Sequence, residues 1–176
     1  MVGVAAQAGS HVSDVEIVRA GIERIDDLRP LFLALHDHHR RVSVLPLTEP
    51  DDRAWAARVA TYTDHFSAER AILHLALRDG APVGYAFTVL HDGSDDTFEL
   101  APRYAELYTL AVAPEVRGGG IGTALLDAVD ATLDELGITS LTLAVMADNE
   151  AAIRLYQRRG LVPAELILYR LRPPAD

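Results

Sequence analysis

Arg117-Gly118-Gly119-Gly120-Ile121-Gly122 sets a permanent cation beside four glycines within six residues. Between a strand and a helix, such a loop builds an anion site. The first N–H groups of the helix lack partners and its dipole favours negative charge. Glycine lets the backbone approach a phosphate without a Cβ in the way, and arginine adds a planar fork of donors. A nucleotide-triphosphate loop requires G-x-x-x-x-G-K-[ST], and the chain contains no lysine. A dinucleotide loop requires Gly or Ala at the end of G-x-G-x-x-G/A. Counted from Gly118 that position is Thr123, and from Gly120 it is Leu125. The pattern [RQ]-x-x-G-x-[GA] is met at Arg117, Gly120 and Gly122. By themselves these residues support a diphosphate grip at a helix start.

Other side chains could do chemistry. Asn149 is the only asparagine in a chain whose sixteen basic residues are all arginine. Its residue type suits a helix N-cap. Acidic Glu106, with Tyr104 and Tyr108 two residues to either side, stands near a strand start, where a surface carboxylate is the plain reading. His36, His38 and His39 cluster around Asp37. His36 and His39 share a helical face at i,i+3, but no third metal ligand is evident. Histidines there could also line an acceptor pocket, or simply complement a solvated helix C-terminus.

These groups need a scaffold. Residues 1–14 are small, polar and aperiodic, and read as a loose tail before a domain over 15–176. Residues 15–20 alternate as a first strand. Leu28, Leu31, Phe32 and Leu35 form one helical stripe. Thr48-Glu49-Pro50-Asp51 resembles a capping box for a second helix, with Trp55, Val59 and Tyr62 facing inward. Strands over 71–77 and 83–90 flank an Arg78-Asp79-Gly80 turn, which predicts a hairpin. A fourth strand over 105–112 precedes a helix over 120–136 that Gly137 stops. A strand over 140–145, a helix over 149–159 and a last strand over 165–171 complete the order. The reading is one α/β domain, hairpins first and a β-α-β-α-β half after.

Composition narrows the partners. At 176 residues the chain is long enough to close one core. A formal net charge of −10 argues against nucleic acid, whose phosphates need a basic face. Without cysteine there is no disulfide, thiolate metal site or thiol nucleophile. No segment approaches the roughly 20 apolar residues of a membrane span, and no export signal is visible, so a cytoplasmic location is expected. Asp92, Asp95, Asp96 and Glu99 in the loop before the fourth strand would suit a cationic amine.

The stretch from Leu110 through Arg117-Gly118-Gly119-Gly120-Ile121-Gly122-Thr123 to Leu126 resembles the CoA-binding motif of the GNAT superfamily of N-acetyltransferases. Downstream, Asn149-Glu150-Ala151-Ala152-Ile153-Arg154-Leu155-Tyr156 is similar to that family's second motif. Together the two motifs cover roughly residues 105–165. The resemblance implies a single GNAT-like domain, with a mixed, mostly antiparallel central sheet flanked by helices and splayed near the fourth strand. It implies acetyl-CoA as co-substrate, no metal, and direct attack of an amine on the thioester.

By position in the family motifs, Leu110, Ala111 and Val112 would offer backbone groups to pantetheine. Arg117, Gly118, Gly119, Gly120, Ile121, Gly122 and Thr123 would hold the pyrophosphate, and Asn149 would touch the cofactor. Tyr156 would be the general acid for the leaving sulfur, and Glu106 the general base, directly or through water, with Tyr104 and Tyr108 as rivals. The resemblance leaves open a small amine or a protein N-terminus as acceptor, and a homodimer as assembly. A catalytically silent CoA-binding sensor or interaction domain is the competing expectation.

Overall fold

The computed structural model describes residues 14–46, 49–93 and 102–171. Five strands line up in the order β1 (Glu16–Ala20), β2 (Ala71–Arg78), β3 (Ala81–Asp92), β4 (Arg103–Val112) and β5 (Leu141–Thr142). The first three pairings are antiparallel and β4–β5 is parallel. The β2–β3 turn forms as its sequence dictates. Asp79 and Gly80 take φ of +51° and +78°, the pair of left-handed residues that matches strand twist in a tight hairpin.

Four helices cover the sheet: α1 (Arg29–Val42), α2 (Asp51–Ser67), α3 (Ile121–Glu135) and α4 (Glu150–Arg158). Alternation along β3 assigns two of them to opposite faces. Tyr85 and Phe87 face α2, where the Tyr62 ring stacks 3.8 Å from that of Phe87. Gly84 faces α3 so closely that a Cβ would stand 3.2 Å from Leu125 and 3.3 Å from Ile121. Tyr62, Tyr85, Phe87, Leu125 and Val129 are all buried, so one core runs through both layers.

The apolar stripes fall where their periodicity places them. Leu28, Leu31 and Phe32 are buried at α1, and Trp55 and Tyr62 at α2. Pro50 sits at the N-cap of α2 rather than inside its first turn. The capping role read for Thr48 lies outside the described residues. At the end of α3, Ile138 N–H donates to Leu133 at 2.9 Å and Gly137 N–H to Asp134 at 3.1 Å. That is the paired closure expected of glycine at C′.

Two strands differ from the sequence reading. β5 spans Leu141–Thr142 instead of 140–145, and 165–171 form no strand. Leu166, Ile167, Leu168, Tyr169 and Leu171 are instead 63% to 82% exposed. A continuous apolar run signals a segment suited to burial on both faces. It does not supply the neighbouring edge that a ladder requires, and none lies against this segment among the described residues.

One irregularity positions the site. Thr88 pairs with Leu107 and Phe87 with Thr109, leaving Tyr108 as an extra residue in β4. Such a bulge re-aims side chains. It brings Glu106, Tyr108 and Thr109 to the α2 side of the sheet.

Candidate active site

The glycine loop has the geometry of an anion cradle. Gly118 and Gly120 take φ of +78° and +86°, a region that residues with a Cβ enter at a cost. Gly120 is the N-cap of α3, and no side chain caps that terminus. The first amides of the helix, Ile121, Gly122 and Thr123, therefore open the loop without a side-chain partner. Arg117 Nε donates to the Val112 carbonyl at 3.0 Å, folding the side chain back on the end of β4. No carboxylate pairs with Arg117 among the described residues.

Beside this loop β4 has a free edge. β5 pairs with it only at Ala105 and Glu106, so residues 107–112 have no ladder partner on that side among the described residues. Leu110, Ala111 and Val112 lie on that stretch. An open strand edge running toward an uncapped helix can accept an extended chain in one direction and an anion at its end.

Helix α4 is fastened to α3 at two places. A Cβ on Gly122 would lie 3.6 Å from Leu155, and Arg159 makes ion pairs with Asp127 and Asp130. Its apolar face packs on the core through Leu155 and Tyr156. Burial pushes the Tyr156 phenol up to about 12, so its proton stays bound at neutral pH. Asn149 opens the helix as its N-cap. Its side-chain oxygen accepts from Ala152 N–H at 3.3 Å, and the residue is 8% exposed.

On the opposite face, Glu106 is not isolated. Its carboxylate lies 3.0 Å from His91 Nε2, and the His91 ring stacks on Tyr104 at 4.8 Å. His65, at the end of α2, completes a cluster of titratable groups with them. Burial is the main cause holding His65 below its usual range; Arg70 and His91 add to this and Glu106 opposes it. The ring packs 5.8 Å from that of Tyr108.

A cavity of about 700 Å³ opens on the same side, lined by Phe32, His36, Glu49, Arg58, Thr61 and Tyr108. It lies between α1, α2 and the β4 bulge. His36 stacks on Phe32 at 5.8 Å and its Nε2 is 3.3 Å from the Glu49 carbonyl. Burial above all, with His38, Arg58 and His36 nearby, lowers His39 to about 4. Among the described residues no group of three His, Asp or Glu side chains could hold a metal ion. Asp92 is turned to Arg103 at 3.2 Å, and the acidic residues Asp95, Asp96 and Glu99 lie outside the described residues.

The structure thus brings Arg117 through Thr123 together with Leu110–Val112 and α4, and gathers Glu106 with the cavity on the α2 side. Sequence reading missed His91, His65, Arg58 and Thr109. The only available signal was weak: His91 ends an apolar strand, next to a carboxylate-bearing partner strand.

Residues 32–161 match the profile described as the acetyltransferase (GNAT) family. The mycothiol acetyltransferase of Streptomyces coelicolor is 29% identical over 174 residues, covering 80% of this chain and 54% of that protein. That of Kocuria rhizophila is 31% identical over 128 residues, covering 72% of this chain and 38% of that protein. The chain therefore spans about half, or less, of the length of these relatives. An aminoglycoside N-acetyltransferase solved in complex with CoA superposes with a TM-score of 0.68 at 21% identity, over 96% of this chain and 100% of the other. A ribosomal-protein-alanine N-acetyltransferase from Brucella melitensis gives 0.61 at 21%, over 91% and 99%. At such identities the likeness is one of fold. With the family profile matched across the loop, β4 and α4, the chain belongs to the GNAT family of acetyltransferases.

Proposed function

We propose that this chain is an acetyl-CoA-dependent N-acetyltransferase that moves an acetyl group to a primary amine. The observation that carries the reading is the uncapped start of α3, with Gly118 and Gly120 in left-handed conformations, beside the unpaired edge of β4. Pyrophosphate oxygens would take the amides of residues 118–123, and the Arg117 guanidinium would add charge from the rim. Pantetheine would run along Leu110, Ala111 and Val112. The resemblance to a neighbour solved with CoA supports this placement.

The chemistry then divides among this chain's own groups. The amine attacks the thioester carbonyl; a C–N bond forms and the C–S bond breaks. Glu106, directly or through water, takes the proton that the amine loses, and His91 orients its carboxylate. A backbone N–H on the β4 edge polarises the carbonyl. Tyr156 offers its proton to the leaving sulfur. A phenol held at about 12 meets a thiol that ordinarily titrates near about 8.5, so full transfer is uphill. The phenol therefore acts by hydrogen bonding to the developing thiolate. The thiolate leaves as the anion and takes its proton from water, while the proton held by Glu106 returns to solvent.

The acceptor is a small amine or a protein N-terminus. Relatives and neighbours named for mycothiol, aminoglycosides and a ribosomal protein span both classes. No helix among the described residues is long and apolar enough to cross a membrane. Release of free thiol from acetyl-CoA over a panel of amines tests the function. Turnover with at least one amine is expected. Tight CoA binding with no turnover across the panel would instead identify a silent CoA-binding sensor domain.

A further inference from the structure

We infer that Arg58 makes the cavity between α1, α2 and β4 a seat for a carboxylate, so that the acceptor is an aminocarboxylate such as a free amino acid. This deepens the acetyltransferase reading and rests on it. Five arginines lie on α1 and α2. Arg29 pairs with Asp52, Arg40 with Asp51, Arg41 with Asp37 and Arg53 with Glu49. Arg58 alone among them has no carboxylate within reach in the described residues, although it is half-buried and the others are not deeper.

What surrounds Arg58 holds it without neutralising it. Its guanidinium carbon lies 5.2 Å from the Phe32 ring centroid, 5.6 Å from Tyr62 and 4.9 Å from Tyr108. Three ring faces attract a cation but bring no counter-charge. One Nη donates to the Thr109 hydroxyl at 2.9 Å, and that hydroxyl also accepts from Tyr62 at 2.7 Å. A side-chain hydrogen bond to Tyr62 uses a further part of the guanidinium, and the rest of its five donors remain. The cage therefore holds in place a guanidinium that lines the cavity, the group that carboxylates pair with most strongly.

Glu49, Arg53, His36 and Thr61, which share the cavity wall, are committed elsewhere. Glu49 turns its carboxylate to Arg53 at 3.4 Å and its carbonyl to Arg40 at 2.9 Å and His36 at 3.3 Å. His39, behind them, adds no charge near neutral pH because burial keeps it neutral. Among the described residues, Arg58 is thus the one charge lining the cavity without a paired carboxylate. It is anchored at Thr109, one to three residues from Leu110–Val112, a span of about 3–10 Å along a strand. A carboxylate seated on Arg58 leaves an amine a few bonds away within reach of that edge.

Whole-chain charge and local charge then cease to conflict. A net charge of −10 disfavours free anions at long range, whereas the cavity wall requires one at contact. A zwitterion satisfies both: it carries no net charge at long range and offers its carboxylate to Arg58 at contact, with its amine left for the β4 edge.

The experiment compares free L-amino acids with their carboxamides, which carry the same amine without the charge. Initial rates with acetyl-CoA are measured for the wild-type chain, Arg58→Met and Arg58→Lys. Expected is at least a tenfold preference in kcat/KM for one or more acids over their amides. It should fall to near unity in Arg58→Met, mainly through KM, and survive in part in Arg58→Lys. Amides turned over as well as acids by the wild type, or a preference undiminished in Arg58→Met, overturns the inference while leaving the transferase intact. Should no amine be acetylated, the transferase reading fails. Calorimetric binding of the same acids and amides to the CoA-loaded chain then decides: acid selectivity lost in Arg58→Met upholds the carboxylate seat, and its absence in the wild type refutes it. Thermal unfolding of each variant establishes that it is folded, and Arg58→Lys serves where Arg58→Met is not.

Discussion

Asn149 has two roles open to it, and a pair of substitutions separates them. Its side chain caps α4 through Ala152 N–H, so Asn149→Ala should cost about 1 kcal/mol of stability. Asn149→Ser keeps a capping oxygen. If Asn149 also touches the cofactor, Asn149→Ser should weaken CoA binding with little change in unfolding temperature; unchanged affinity would leave only the cap. For Tyr156→Phe we expect kcat to fall far more than CoA affinity, because the ring and its packing remain. A rate unaltered while chemistry is limiting would remove the phenol from the mechanism. Glu106→Gln should lower kcat/KM by about 10²–10⁴, the range of a general base, without unfolding the chain. Loss below tenfold would return Glu106 to the status of a surface partner of His91. Asn149 and Tyr156 were legible because both lie in one contiguous motif at helical spacing. Arg58, Thr109 and His91 were not, because α2, β3 and β4 bring them together across 51 and 15 residues of chain.

Among the elements, α3 carries the clearest test of the loop. Gly120 is both its N-cap and a residue at φ of +86°. Gly120→Ala should therefore cost about 1–3 kcal/mol of backbone strain and weaken CoA binding together. A variant with wild-type CoA affinity would show that the loop does not grip the pyrophosphate. This helix, its stop at Gly137 and the β2–β3 hairpin could be read in advance, since each depends on local signals: apolar period, glycine and an Asp-Gly turn. The residues carry no signal for the Tyr108 bulge, because a bulge is a relation between two strands and β4 alternates normally by itself; only the family resemblance implies a bulge where the fourth strand splays. The same limit explains β5 and 165–171. Glu165-Leu166-Ile167-Leu168-Tyr169 has the composition of a strand, but composition does not name the edge it would join.

At the scale of the whole molecule, buried neutral histidines tie stability to pH. His74 on β2 reaches across the sheet–helix interface to Thr132 of α3, its Nε2 3.0 Å from the hydroxyl, while its buried Nδ1 has no hydrogen-bond partner among the described residues. Burial, with a smaller contribution from Arg19, lowers it to about 4, and burial does the same to His39. In the unfolded chain histidine titrates near about 6.5. Between those values the unfolded state binds more protons than the folded state. Stability is then complete above about 6.5 and declines as pH falls toward 4. Most carboxylates titrate near about 4, so the interval from 6.5 down to 5.5 belongs mainly to histidine. The falling net negative charge would act the other way, by easing self-repulsion. Urea midpoints for the wild type and His74→Gln at pH 7.5, 6.5 and 5.5 measure the balance. The wild-type midpoint should drop across the lower two values, and His74→Gln, which has no ring to protonate, should show a shallower fall. Equal slopes in the two proteins would assign the acid sensitivity elsewhere and leave the β2–α3 contact a packing feature alone.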